Sequence, residues 1–128
     1  MRNISFSLTT PQFMAGTKDV TRRIGWAGVQ PGTILMAVEK AQGLKKGETV
    51  KKLGKIQVVS VARERLRRIV DDPEYGKREV IREGFPQMTT KGFVEFFSDA
   101  NKCDPHDAIV TRIEFVKLPA DGAANGSS

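Results

Sequence analysis

Lys55-Ile56-Gln57-Val58-Val59-Ser60-Val61-Ala62 is the stretch whose reading decides the fold. It is β-branched and apolar, which predicts a strand at the centre of a sheet. It runs on into Arg63-Glu64-Arg65-Leu66-Arg67-Arg68, where continued extension would set Arg63, Arg65 and Arg67 on one face. Mixed charge of that kind predicts a strand leaving the core. On the N-terminal side, Pro31-Gly32 is a turn and residues 33–38, Thr-Ile-Leu-Met-Ala-Val, form the preceding strand. The two strands are joined by a glycine-punctuated connection over residues 40–55. It carries Lys40, Lys45, Lys46, Lys51, Lys52 and Lys55 against a single acid, Glu48.

Further out, Ile4-Ser5-Phe6-Ser7-Leu8 alternates with period two and predicts a half-buried strand. Thr9 or Thr10 then caps a short helix, with Pro11 in its first turn, Phe13 and Met14 as its apolar contact and Gly16 as its stop. Asp19 to Arg23 reads as a short strand with Lys18, Val20 and Arg22 on one side and Thr21 and Arg23 on the other. Residues 71–76 read as a turn. Lys77 to Glu83 reads as a helix with Val80 and Ile81 inward, ended by Gly84. A second helix opens at Thr89 or Thr90 and carries Phe93, Phe96 and Phe97 at helical spacing, a stripe that reads as core packing. Residues 108–116 form a closing strand, and residues 119–128 a Gly/Ser-rich disordered tail. Strands separated by helices, too few and too irregular for a doubly wound sheet, define an α+β domain over residues 1–118 built on a small curled sheet or barrel.

The 128 residues hold 21 Lys+Arg against 15 Asp+Glu, a net charge of +6 that suits an anionic partner. Cys103 is the single cysteine, which excludes an intramolecular disulfide. No signal-like h-region and no membrane-length apolar run is present, so the chain reads as cytoplasmic, with no membrane partner. Cys103 and His106 lack the further ligands that a tetrahedral metal site needs, and no P-loop is present, so neither a metal nor a cofactor is called for.

Gly16-Thr17-Lys18-Asp19-Val20-Thr21-Arg22-Arg23 is the densest source of chemistry. A threonine hydroxyl becomes a nucleophile when a neutral amine takes its proton, and burial or nearby cations lower a lysine's pKa enough for that. Lys18 and Thr21 form such a candidate pair, with Arg22 and Arg23 as the cations. A carboxyl is needed for the leaving group. Glu79, Glu83 and Glu95 all qualify, and spacing does not choose among them.

The pattern Gly16-x-Lys18-x-x-Thr21-x-Arg23 resembles the signature of the ASCH family, a branch of the PUA-like superfamily. The Pro31-Gly32 turn, Glu83-Gly84-Phe85 followed by a phenylalanine-rich helix, and the ending Val110-Thr111-Arg112-Ile113-Glu114-Phe115 are similar to further parts of that family's pattern, in order. The resemblance implies a PUA-like curled β-barrel flanked by short helices, with a cleft for a nucleobase or nucleotide. It implies an amidohydrolase that cleaves the exocyclic amide of acylated cytidine with Lys18, Thr21 and Glu83. Gly16, Arg22, Arg23, Trp26 and Phe6 are the implied substrate contacts, and the partner is a modified nucleoside or RNA. Lys45, Lys46, Lys51 and Lys52 are the expected nucleic-acid contacts. A PUA-like module that binds RNA or a modified base without catalysis is the alternative, and a ribonuclease is the third reading.

Overall fold

A computed structural model describes residues 1–40 and 47–120 of the chain. Five strands form one open, mixed sheet in the order β1-β3-β4-β5-β2. They are β1 (Asn3–Ser5), β2 (Val20–Arg23), β3 (Ile34–Val38), β4 (Lys52–Arg65) and β5 (Ile109–Lys117). Four helices complete the described architecture: α1 (Thr10–Ala15), α2 (Arg68–Asp71), α3 (Pro73–Arg82) and α4 (Thr90–Asn101). The α+β class follows directly. β1 lies parallel to β3, and every other pairing is antiparallel.

The stretch at 55–62 is the middle of the central strand. β4 is longer than expected at both ends: Lys52 already pairs with Val38, and Arg65 still pairs with Ile109. Where its charge rises the strand leaves the apolar core, with Ala62, Arg63 and Arg65 exposed, while it stays paired in the sheet. Register shifts lie between Ala37 and Val38 and between Val58 and Ser60, and the second turns Val59 out to solvent. Bulges of this kind bend a strand and increase its twist.

That bend brings the two edges of the sheet together without pairing them. The Arg23 guanidinium, at the end of β2, lies 5.1 Å from the centre of the Phe6 ring, just beyond β1. Arg2 lies over Trp26 at 3.5 Å. The expected closed barrel is thus not formed by backbone pairing, because the ladder ends at β1 and β2 and only side chains bridge the gap.

Two apolar cores result. One joins the sheet to α1 through Ile4, Phe6, Phe13, Leu35, Ile56, Ile113 and Phe115. The other packs α2, α3 and α4 on the far end of β4 and β5 through Leu66, Ile69, Val80, Phe93, Phe97 and Val110. Helix α1 starts at its Thr9 cap and stops at Gly16, which takes φ +78°. The expected turn at 71–76 is instead the junction of α2 and α3, where the Asp72 carboxylate accepts from the Tyr75 N–H and Pro73 starts the helix. Met14 and Ile81, expected inward, are exposed, while their neighbours Phe13 and Val80 are buried. In both cases two adjacent apolar residues sit on a helix one-turn face wide enough for only one of them. Residues 121–128 of the expected tail lie outside the described residues. No described helix is long and apolar enough to cross a membrane.

Candidate functional site

A cleft of about 430 Å³ opens at the seam between the two cores. Its polar wall carries Lys18, Thr21, Arg22, Arg23 and Glu83, and its apolar wall carries Phe85, Phe93, Phe96 and Trp26. Strand β2 and the end of α3 build the polar wall. Asp19 ties the two together, donating its N–H to the Arg82 carbonyl while its carboxylate accepts two bonds from the Arg82 guanidinium.

Lys18 is buried, at 4% exposure, and its amine donates to Glu83 Oε1 at 2.9 Å and to the Glu83 carbonyl at 2.8 Å. Of the three carboxyl candidates, geometry therefore selects Glu83 as the one beside Lys18. Glu95 is exposed on α4, and Glu79 lies behind the cleft. Burial lowers the Lys18 pKa, and Arg23 and Arg22 add to that; Glu83 opposes the shift without cancelling it.

Arg22, whose exposure the sequence leaves open, is the hub of a buried ionic network. Its guanidinium donates to Glu83 Oε2 at 3.0 Å, to Glu64 Oε2 at 3.0 and 3.2 Å, to the Tyr75 hydroxyl at 3.1 Å and to Glu79 Oε1. Burial alone would lower its pKa, but the fields of Glu83, Glu64 and Glu79 outweigh this and hold it above the ordinary arginine value. Glu79 is held down to about 2: burial pushes it up, and the Arg112 and Arg22 guanidinium groups more than reverse that. Tyr75 is pushed up to about 12 by burial and by its bond to Glu64.

Thr21 and Arg23, expected on the opposite side from Lys18 and Arg22, line the same cleft as those two residues. Arg23 Nε donates to Thr21 Oγ1 at 3.1 Å, and the Lys18 amine is bonded to Glu83 rather than to Thr21. Arg23 forms no ion pair with a described carboxylate. Burial consequently pulls its pKa down to about 10, with Glu83 opposing only in part.

The remaining expected residues divide. Trp26 lines the cleft, in a left-handed backbone conformation (φ 60°) that follows Gly25 at φ 79°. A bulky side chain in that region is strained, and such strain is held where the surroundings require one geometry. Phe6 is core: it is 1% exposed, stacks on Phe13 at 4.8 Å and supports Arg23 from beneath. Gly16 caps α1 and is not part of the cleft wall. Lys51 pairs with Glu39 at 3.4 Å, and Lys52 begins β4, both away from the cleft; Lys45 and Lys46 lie outside the described residues. The described lysines of residues 40–55 therefore do not form one strip along the cleft.

Glu64, Tyr75 and Arg112 are partners that sequence reasoning misses. Glu64 carried a usable signal, being the one acid in an arginine-rich extension of an apolar strand. Tyr75 and Arg112 carried none, since their roles depend on where α3 crosses the sheet. Among the described residues, no three His, Cys, Asp or Glu side chains form a group suited to hold a metal.

No family model and no curated protein matches the sequence. The chain is similar in structure to the crystal structure of protein EF3133 from Enterococcus faecalis V583, described as a DUF984 protein, at 13% identity and a TM-score of 0.53. The likeness covers 89% of this chain and 73% of that one, and at this identity it bears on the fold alone.

Proposed function

We propose that the protein is an ASCH-type, PUA-like domain that acts as a nucleoside amidohydrolase, removing the acyl group from the exocyclic amine of cytidine. The observation that carries this reading is the buried Lys18–Glu83 pair, which opens onto a cleft shared with Thr21 and Arg23 and walled by aromatic rings. The bulged β4 and the side-chain bridge between the sheet edges support a PUA-like curl left unclosed.

In this reading the neutral Lys18 amine, favoured by burial, leaves Glu83 and takes the Thr21 proton. The Thr21 oxygen attacks the amide carbonyl, and Arg23, already bonded to Thr21 Oγ1, donates to the developing oxyanion. The proton passes from the Lys18 ammonium through Glu83 to the departing cytosine amine. Water then attacks the acyl-threonine, its proton returns to Thr21 by the same route, and the acid leaves. The aromatic wall gives a pyrimidine ring its stacking surface.

The test is release of cytidine from a series of N4-acylcytidines, with Lys18→Ala and Glu83→Gln as controls checked for folding by circular dichroism. Turnover that falls at least about a hundredfold in both variants is expected. No turnover with any acyl chain sinks the hydrolase.

A second reading, a binding module for RNA or a modified base, is favoured by one observation. Lys18, Arg22 and Glu83 satisfy one another and Thr21 is held by Arg23, so in the polar wall Arg23 alone keeps N–H groups for a ligand. A recogniser needs nothing more. Under it, base binding survives Lys18→Ala and no cytidine is released.

A further inference from the structure

We infer that the cleft continues into a phosphate subsite, formed by Arg2, Arg23 and Lys40, so that the ligand is a nucleotide rather than a free nucleoside. The inference rests on the nucleobase reading of the cleft for its second half only; the subsite itself stands on its own geometry.

A second cavity, also of about 430 Å³, adjoins the first. Ser5, Ser7, Arg23 and Trp26 line both, so the two are one continuous groove with a shared wall. Arg2 and Lys40 belong to the second cavity alone. No carboxylate is among its described lining residues, and neither Arg2, Arg23 nor Lys40 forms an ion pair with a described acid. The one acid next in sequence, Glu39, is paired with Lys51.

Three cations around one cavity repel one another, and an anion that enters relieves that repulsion. Two of the cations, Arg2 and Arg23, are also held in place. The Arg2 guanidinium lies face-down on the Trp26 indole at 3.5 Å, which leaves its N–H edge for an acceptor. The Arg2 carbonyl accepts from Met36 N–H, which pins that residue to β3. Arg23 is held by Thr21 on one side and by the Phe6 ring on another. The Ser7 hydroxyl adds a neutral donor of the kind that phosphate oxygens take up, while the Ser5 hydroxyl is given to the Glu39 carbonyl. A carboxylate offers two oxygens to such donors and a phosphate offers three. Trp26, common to both cavities, stands between the half that holds Phe85, Phe93 and Phe96 and the half that Arg2 and Lys40 join, which suits the order of base and phosphate along a nucleotide.

Calorimetry with cytidine, cytidine 5′-monophosphate and ribose 5-phosphate tests this. The monophosphate should bind at least about tenfold more tightly than cytidine. Arg2→Ala/Lys40→Ala should shrink that ratio, while Lys77→Ala/Lys91→Ala, which removes equal charge from exposed helical positions, should leave it in place. Equal binding of cytidine and its monophosphate overturns the subsite and leaves the nucleoside reading standing. Ribose 5-phosphate that binds and is lost in Arg2→Ala/Lys40→Ala, with no binding of cytidine, supports the subsite and removes the pyrimidine reading. A short cytidine-containing oligoribonucleotide that competes better than the monophosphate, again dependent on Arg2 and Lys40, assigns the phosphate to an RNA chain. No binding by any of the phosphates overturns the subsite.

Discussion

Glu79→Gln isolates the electrostatic cost and benefit of the buried network. Glu79 is 3% exposed; one carboxylate oxygen accepts from both Arg22 and Arg112, and the other accepts from Arg112 at 3.1 Å. These bonds hold its pKa at about 2 against an ordinary 4.5. At 1.36 kcal/mol per pH unit, that difference is about 3 kcal/mol of stability at neutral pH. The folded pKa lies below the unfolded one, so the contribution is whole above about pH 5 and decays as the pH falls from 4.5 towards 2. Glutamine removes it at every pH and turns an amide donor towards guanidinium groups that are themselves donors. Thermal unfolding followed by circular dichroism should show Glu79→Gln melting roughly 12 °C below the wild type at pH 7, at roughly 4 °C per kcal/mol for a domain of this size. The gap should close as both are taken down to pH 2.5. A variant that melts within 2 °C (about half a kcal/mol) of the wild type at pH 7 refutes the assignment. So does a gap that persists unchanged in acid.

The depressed Lys18 pKa predicts that hydrolysis rises with pH and levels off at an inflection below 10.5, because the neutral amine is the base. Removing the nearby cation with Arg23→Gln should move that inflection upwards; a pH profile of kcat/KM in which it stays put removes Lys18 as the base. Gly84→Ala should destabilise by about 2 kcal/mol or more, measured by urea unfolding. Its φ is +102°, and a Cβ there would lie 2.9 Å from Gln12 Cβ on α1, so neither backbone nor neighbour accommodates it. An alanine variant as stable as the wild type contradicts that packing.

Local patterns carried most of the fold. The β-branched run at 56–61 had to be the central strand, and Gly16, Thr89 and the phenylalanines of α4 marked their helices through caps and periodicity. What the chain did not disclose depends on long-range geometry. The bend that carries β4 past its arginines comes from a bulge at Val59, and nothing in Val58-Val59-Ser60 announces one. At the site, alternation along β2 set Lys18 and Arg22 apart from Thr21 and Arg23, whereas all four line one cleft. It could not show that Arg22 is buried, because a guanidinium is admitted to the interior only by partners that arrive from β4 and α3. Phe6 misled for the converse reason. It lies beneath Arg23 but is sealed by Phe13 and Phe115, so it shapes the cleft without facing it.

The charge count of the network says what the cleft lacks. Lys18, Arg22, Arg68, Arg82 and Arg112 each pair with Glu64, Glu79 or Glu83, and Arg23 beside them pairs with no described carboxylate. Taking ionic groups out of water costs several kcal/mol each, and well-packed apolar side chains of similar volume would give equal or greater stability. Stability therefore does not account for the network. Arg23 sharpens the point: it is the cation left over, and burial has already drawn its pKa down to about 10. A guanidinium in that state gains most from an acceptor placed against its free N–H groups, and those groups border both halves of the groove. The missing partner is thus an electron-rich ligand atom, a carbonyl oxygen turning into an oxyanion on one side or a phosphate oxygen on the other. Arg23 is where the two proposals meet, and ligand binding should return its pKa towards the ordinary arginine value.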